Sequence, residues 1–195
     1  AYGGAPVAEP VEATRQSTGL DALIDNRIMA TAERDLLNFI LTYGTTKLEF
    51  QSDSAFYSGS DEDALTVFDF IGQALEGDNS QFANSVFRKV YEAYSKDYYE
   101  GYSQDEIVKR LMDGEDRDMA YVVAQLSTDE RYDLSVKNLR QSMMSKGSWL
   151  TIYVPKAILV YQQSRLEDKE NELKERLGEA QASYDDDRVL EIMQE

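Results

Sequence analysis

With 195 residues, 37 acidic against 20 basic side chains, a net charge of −17, and neither cysteine nor histidine, the chain lacks the residues most enzyme classes need. Zinc fingers, Cys nucleophiles, Ser-His-Asp triads, HExxH metalloproteases and Glu-x-x-His di-iron sites are excluded together. A field of this sign also opposes direct nucleic-acid binding, which runs on Lys/Arg contacts and counterion release, so a protein partner is expected.

Residues 1–30 hold two of the three prolines and scattered apolar residues without period, and read as an interdomain linker. The chain starts at Ala1 rather than Met, with no apolar signal-peptide core after it, and reads as a piece of a longer protein. Absence of Cys fits a reducing compartment, and no run approaches the ~20 apolar residues of a membrane span, so a cytoplasmic, soluble protein is expected.

A compact helical subdomain is expected over 31–150. Its first helix lies in "TAERDLLNFILTYG", with Thr31 as cap, a stripe of Leu36, Leu37, Ile40 and Leu41, and Gly44 as terminator. "DEDALTVFDFIGQALEG" places Leu65, Phe68, Ile71 and Leu75 at helical spacing between Ser60 and Gly77. "SQFANSVFRKVYEAYSKDYYEGY" follows, with Phe82, Val86, Val90, Tyr94 and Tyr98 on one face. "SQDEIVKRLMDG" and "DRDMAYVVAQLS" are shorter helices, each opened by a capping residue and acids. "SVKNLRQSMM" reads as one more, and no strand alternation is long enough to build a sheet.

The last region, 151–195, reads as a long helix and the start of a C-terminal helical hairpin. The helix is expected to begin between Thr151 and Pro155, since proline in a first turn costs little. In "SRLEDKENELKERLGEAQ" charge dominates. Leu159, Leu166, Leu173 and Ala180 recur every seven residues, joined by Leu177 and Tyr184, a seam wide enough for one partner helix. Glu170 with Lys174 and Glu172 with Arg176 are favourable i, i+4 pairs, so the rod stands in water with little cover. Gly178 and "SYDDD" are expected to turn the chain, and "DRVLEIMQE" restarts a helix with Val189, Leu190, Ile192 and Met193 facing back. That helix reaches Glu195 without a stop signal, so the hairpin is expected to be incomplete.

"ERDLLNFILTYG" (33–44), "EDRDMAYVVAQLSTDERYDLS" (115–135) and "YVPKAILVYQQSRLED" (153–168), in this order, resemble the C-terminal, helicase-binding domain of bacterial DnaG-type DNA primase. The resemblance spans about residues 30–195. It implies an all-helical subdomain followed by a long helix and a hairpin that docks on the N-terminal domains of the hexameric DnaB-type replicative helicase. The family's chemistry, DNA-directed RNA synthesis by a nucleotidyltransferase that depends on zinc and magnesium, lies in other domains. This stretch is therefore expected to be non-catalytic, with no cofactor of its own. Partner-binding residues expected from the hairpin are Leu173, Leu177, Tyr184, Val189, Leu190 and Met193.

The acids Asp61–Asp63 and Asp185–Asp187 lack calcium-loop spacing and suit helix N-caps. "DRD" at 116–118 mimics a metal-binding DxD but opens a helix rather than closing a strand. Tyr91, Tyr94, Tyr98, Tyr99 and Tyr102 resemble a base-stacking platform without its basic groove, and suit core or interface. The alternatives in function are a helical adaptor or scaffold unrelated to replication, and the N-terminal domain of a replicative helicase. The latter would carry a Walker loop downstream, and no GxxxxGK[ST] occurs here.

Overall fold

The computed structural model describes residues 19–57, 59–60, 63–128, 145–183 and 186–193, and over these the chain is all-helical. A 3-10 turn (Gly19–Leu23) precedes α1 (Arg27–Tyr43), α2 (Val67–Gly77), α3 (Ser85–Tyr99), α4 (Gln104–Met112) and α5 (Arg117–Ser127). A 37-residue α6 (Lys146–Ala182) and the short α7 (Asp186–Ile192) complete it. Among the described residues the only β-pairing is one antiparallel bridge, Lys47 to Thr66. The short helix expected in 135–144 lies outside the described residues.

The axis of the body is α1, which packs against α2, α3, α4, α5 and α6. That is why its apolar surface exceeds the expected stripe. Met29, Phe39 and Tyr43 are buried as well as Leu36, Leu37, Ile40 and Leu41, because a helix enclosed on most sides needs apolar residues around most of its circumference.

It also starts earlier than expected. The N-cap is Asn26 rather than Thr31, and its side chain accepts the Met29 N–H at 3.1 Å. Residues 19–26, expected in the linker, fold onto the body, with Leu20, Leu23 and Ile24 against the core. Similarly, α2 opens at Thr66, whose hydroxyl accepts from the Asp69 N–H at 3.1 Å, so Ser60 lies outside it.

Helices α4 and α5 begin where expected. Ser103 and Glu106 form a capping box, and Asp116 accepts the Asp118 and Met119 N–H groups at 3.1 Å, so the "DRD" acids open a helix. The tyrosines of α3 gather around Phe68, with Tyr94 fully buried, Tyr91 and Tyr98 half-buried and Tyr99 exposed. Core packing is thus their main role.

Helix α6 starts at Lys146, capped by Ser145, and Pro155 lies in its third turn rather than its first. There the proline removes the donor to the Thr151 carbonyl, a disruption of about 3 kcal/mol in an isolated helix. Burial of Leu150, Val154, Ile158 and Tyr161 against the body offsets it, at roughly 1.5–3 kcal/mol for each large apolar side chain. Gly178 does not break the helix, which continues to Ala182.

Candidate hairpin docking site

Three polar contacts carry α6 past the core before it becomes solvated. The Tyr161 hydroxyl donates to the Gln81 carbonyl at 3.1 Å, and Gln162 Nε2 donates to Asp78 Oδ2 at 2.6 Å. One and a half turns further, Asn26 Nδ2 donates to Asp168 Oδ2 at 2.8 Å. The rod therefore hugs the body to Asp168, seven residues further than the apolar pattern alone suggested.

Asn26 is itself held from below. Its N–H donates to Asn84 Oδ1 at 2.7 Å, and Asn84 Nδ2 donates to the Asn26 carbonyl at 3.0 Å and to Glu33 Oε2 at 2.7 Å. Glu33 is fully buried and also accepts the Ala83 and Asn84 N–H groups. Burial pushes its carboxyl above the usual range, and the three donors from Ala83 and Asn84 oppose that shift.

Beyond Asp168 the helix is mostly exposed, with the Glu170–Lys174 pair at 2.6 Å in the expected register. Such an exposed pair, screened by solvent, contributes little to stability. At Ser183 the chain turns. The Ser183 N–H donates to the Glu179 carbonyl at 3.0 Å and its hydroxyl to the Ala180 carbonyl at 3.0 Å, closing the C-terminus of α6.

Helix α7 then folds back against α6. Ala180 and Ile192 are buried in the closure, 0% and 5% exposed, and Leu173, Leu177 and Val189 are half-buried. Leu190 and Met193 turn outward instead, 59% and 72% exposed, although the sequence pattern placed them facing back. The reason is geometric. Four apolar residues within five positions of a short helix span more than one face, and a single helix partner covers only one.

Of the expected partner-binding residues, the structure brings Leu173, Leu177, Val189, Leu190 and Met193 into the hairpin, while Tyr184 lies outside the described residues. The two outward residues form an apolar tip. The Asn26–Asp168 tie was not anticipated, since it joins positions 142 apart with nothing local to mark it. Among the described residues no helix is long and apolar enough to cross a membrane.

No curated protein and no solved structure matches the chain. A family model described as a domain of unknown function matches residues 21–195, from the 3-10 turn through the hairpin, so the chain belongs to that family, DUF8430.

Proposed function

We propose that the chain is the helicase-binding module of a bacterial DnaG-type primase, acting in the cytoplasm to recruit primer synthesis to the replication fork. The observation that carries this reading is the hairpin's outward pair, Leu190 and Met193, exposed on the outer side of α7 at the end of a charged rod. An apolar tip of this kind is a surface for a protein partner, since its exposure to water is offset only on docking. The ordered sequence resemblance supports the N-terminal domains of a DnaB-type hexamer as that partner. No catalytic residue is assigned to the chain.

In this reading the buried pair, Ala180 and Ile192, closes the hairpin, and Leu190 and Met193 dock. Leu173, Leu177 and Val189 line the edge between the two roles. A titration of the chain against the replicative helicase from the same cell tests it. Leu190→Asp and Met193→Asp should each weaken binding by roughly a hundredfold, the cost of placing a charge in an apolar docking face. Unchanged binding in both variants would refute the assignment of the tip.

A further inference from the structure

A second apolar surface lies far along α6 from the hairpin tip, where the loop before α2 meets the rod. Phe56 and Phe70, with Pro155, Ile158 and Leu159 of α6, line a groove of about 370 Å³. Ile158 is its floor, 8% exposed, while Phe56 and Leu159 stand at the rim, 52% and 65% exposed. Phe56 is held upright there by its neighbours. Phe50, Phe56 and Phe70 form a closed triangle with ring centroids 5.3–5.4 Å apart, so the ring is fixed by packing yet half in water.

The groove continues as a line rather than a spot. Ile152, Leu159 and Leu166 are all exposed and follow at seven-residue intervals along α6. At ~1.5 Å per residue this seam is about 21 Å long, the length of a helix of roughly four turns.

Charge fixes the sign of what fits. From Leu48 to Phe87, the segment that supplies Phe50, Phe56 and Phe70, the sequence has eight acidic residues and neither Lys nor Arg. At the groove's edge Gln162, one of its lining residues, donates to Asp78 Oδ2 at 2.6 Å, placing a carboxylate at the rim. A second copy of this chain would bring another −17 to the same surface. An acidic partner would meet the same repulsion.

We infer that the groove formed by Phe56, Phe70, Ile158 and Leu159 is a docking site for a basic amphipathic helix of a partner protein. Its apolar face seats an anchor between Phe56 and Leu159 and runs along Ile152 and Leu166. Its Lys and Arg residues meet the Asp78 carboxylate at the rim. This surface is separate from the hairpin and does not depend on the reading of the tip.

The test uses the whole chain, labelled at Ile and Leu methyls, and an amidated peptide with leucines at i, i+3, i+4 and i+7 on a lysine background. A twin on a glutamate background is the control. The lysine peptide should saturably shift the Ile158 and Leu159 methyls, and the glutamate twin should not. Phe56→Ala and Leu159→Ser, both at exposed positions, should each weaken binding by roughly tenfold or more, and Leu190→Asp should leave it unchanged. Equal shifts with both peptides, shifts confined to other methyls, or unaltered affinity in both groove variants would overturn the inference. So would concentration-dependent broadening of the Ile158 and Leu159 signals without peptide, which would make a second copy the occupant.

Discussion

Gly44 and Tyr94 approach so closely that no side chain fits between them: a Cβ on Gly44 would lie 2.1 Å from the Tyr94 hydroxyl oxygen. Gly44 ends α1 as its sequence position suggested, but not through the left-handed conformation usual for such a glycine. Its φ is −51°, and its N–H still donates to the Ile40 carbonyl at 2.9 Å. Space, not backbone freedom, makes glycine necessary. Tyr94 is pinned in turn by donating to Gln104 Oε1 at 2.7 Å, while Gln104 Nε2 donates to the Leu41 carbonyl at 2.6 Å. Gly44→Ala should therefore destabilise the body by about 3 kcal/mol, in the range for overpacking. Tyr94→Phe alone should cost about 1 kcal/mol, and the double variant should cost less than the sum, because the first atom the new methyl strikes is gone. Urea denaturation of the four proteins measures the coupling, and strict additivity would show that Tyr94 is not the obstacle.

Glu33 poses the opposite problem, a carboxylate enclosed by donors. Its two oxygens accept from Ala83 N–H, Asn84 N–H and Asn84 Nδ2, so Glu33→Gln must turn an amide NH₂ toward at least one N–H. The expected loss is about 2–4 kcal/mol despite the near-identical shape. Because Asn84 also holds Asn26, the N-cap of α1, amide exchange should quicken at Met29 as well as at Ala83. Protection unchanged at Met29 would separate the cap from the buried carboxylate.

The tyrosine cluster predicts an alkaline limit to stability. Burial raises the phenols of Tyr91 and Tyr98 to about 12 and Tyr94 further still, against 10.0 for a free tyrosine. The folded state thus holds these protons more tightly than the unfolded chain. The resulting stabilisation is complete below pH ~10 and is lost as pH rises toward the folded values. Thermal midpoints should fall through this window, with phenolate absorbance and loss of helicity rising together. Tyr94→Phe should flatten the decline. A phenolate titration finished before any helix is lost would place these rings outside the cooperative core.

What was legible in the sequence follows the range of the forces involved. Ser103 with Glu106 and Asp116 with Met119 are caps made within four residues, so the starts of α4 and α5 could be read directly. Asn26 could not, because what orders the preceding turn is Asn84, 58 positions away. Pro155 misled for a related reason. Proline marks a first turn when local cost decides, whereas here Leu150 and Val154 bury themselves upstream of it and extend α6 back to Lys146. At the tip, sequence gave the composition of the hairpin but not its facing. Ile192 rather than Leu190 turned inward, since a single partner helix covers only one face of α7.

If the hairpin docks on a helicase hexamer, charge should act on the rate of encounter more than on the lifetime of the complex. A body of net charge −17 approaching a basic patch is steered from beyond contact distance, and salt screens that over ~8–10 Å. The apolar contacts of Leu190 and Met193 are insensitive to such screening. Stopped-flow association should then slow several-fold as ionic strength rises, with dissociation little changed. Association rates independent of salt would mean that the acidic surface plays no part in finding this partner.

The division of α6 into a structural half and an arm gives the final prediction. A chain ending at Gln162 keeps Leu150, Val154, Ile158 and Tyr161 in the core, and with them nearly all the apolar burial that α6 provides. It loses the Asn26–Asp168 hydrogen bond, about 1 kcal/mol for a partly buried contact, or a few degrees of thermal midpoint. A chain ending at Lys169 retains Asp168 and should recover those degrees. If the proposed function holds, neither should bind the helicase measurably, since neither carries the hairpin. Tight binding by either shortened chain would move the docking surface to the body. A large collapse in stability at Gln162, reversed at Lys169, would instead make the Asn26–Asp168 contact a principal support of the fold, and the charged rod a strut before it is an arm.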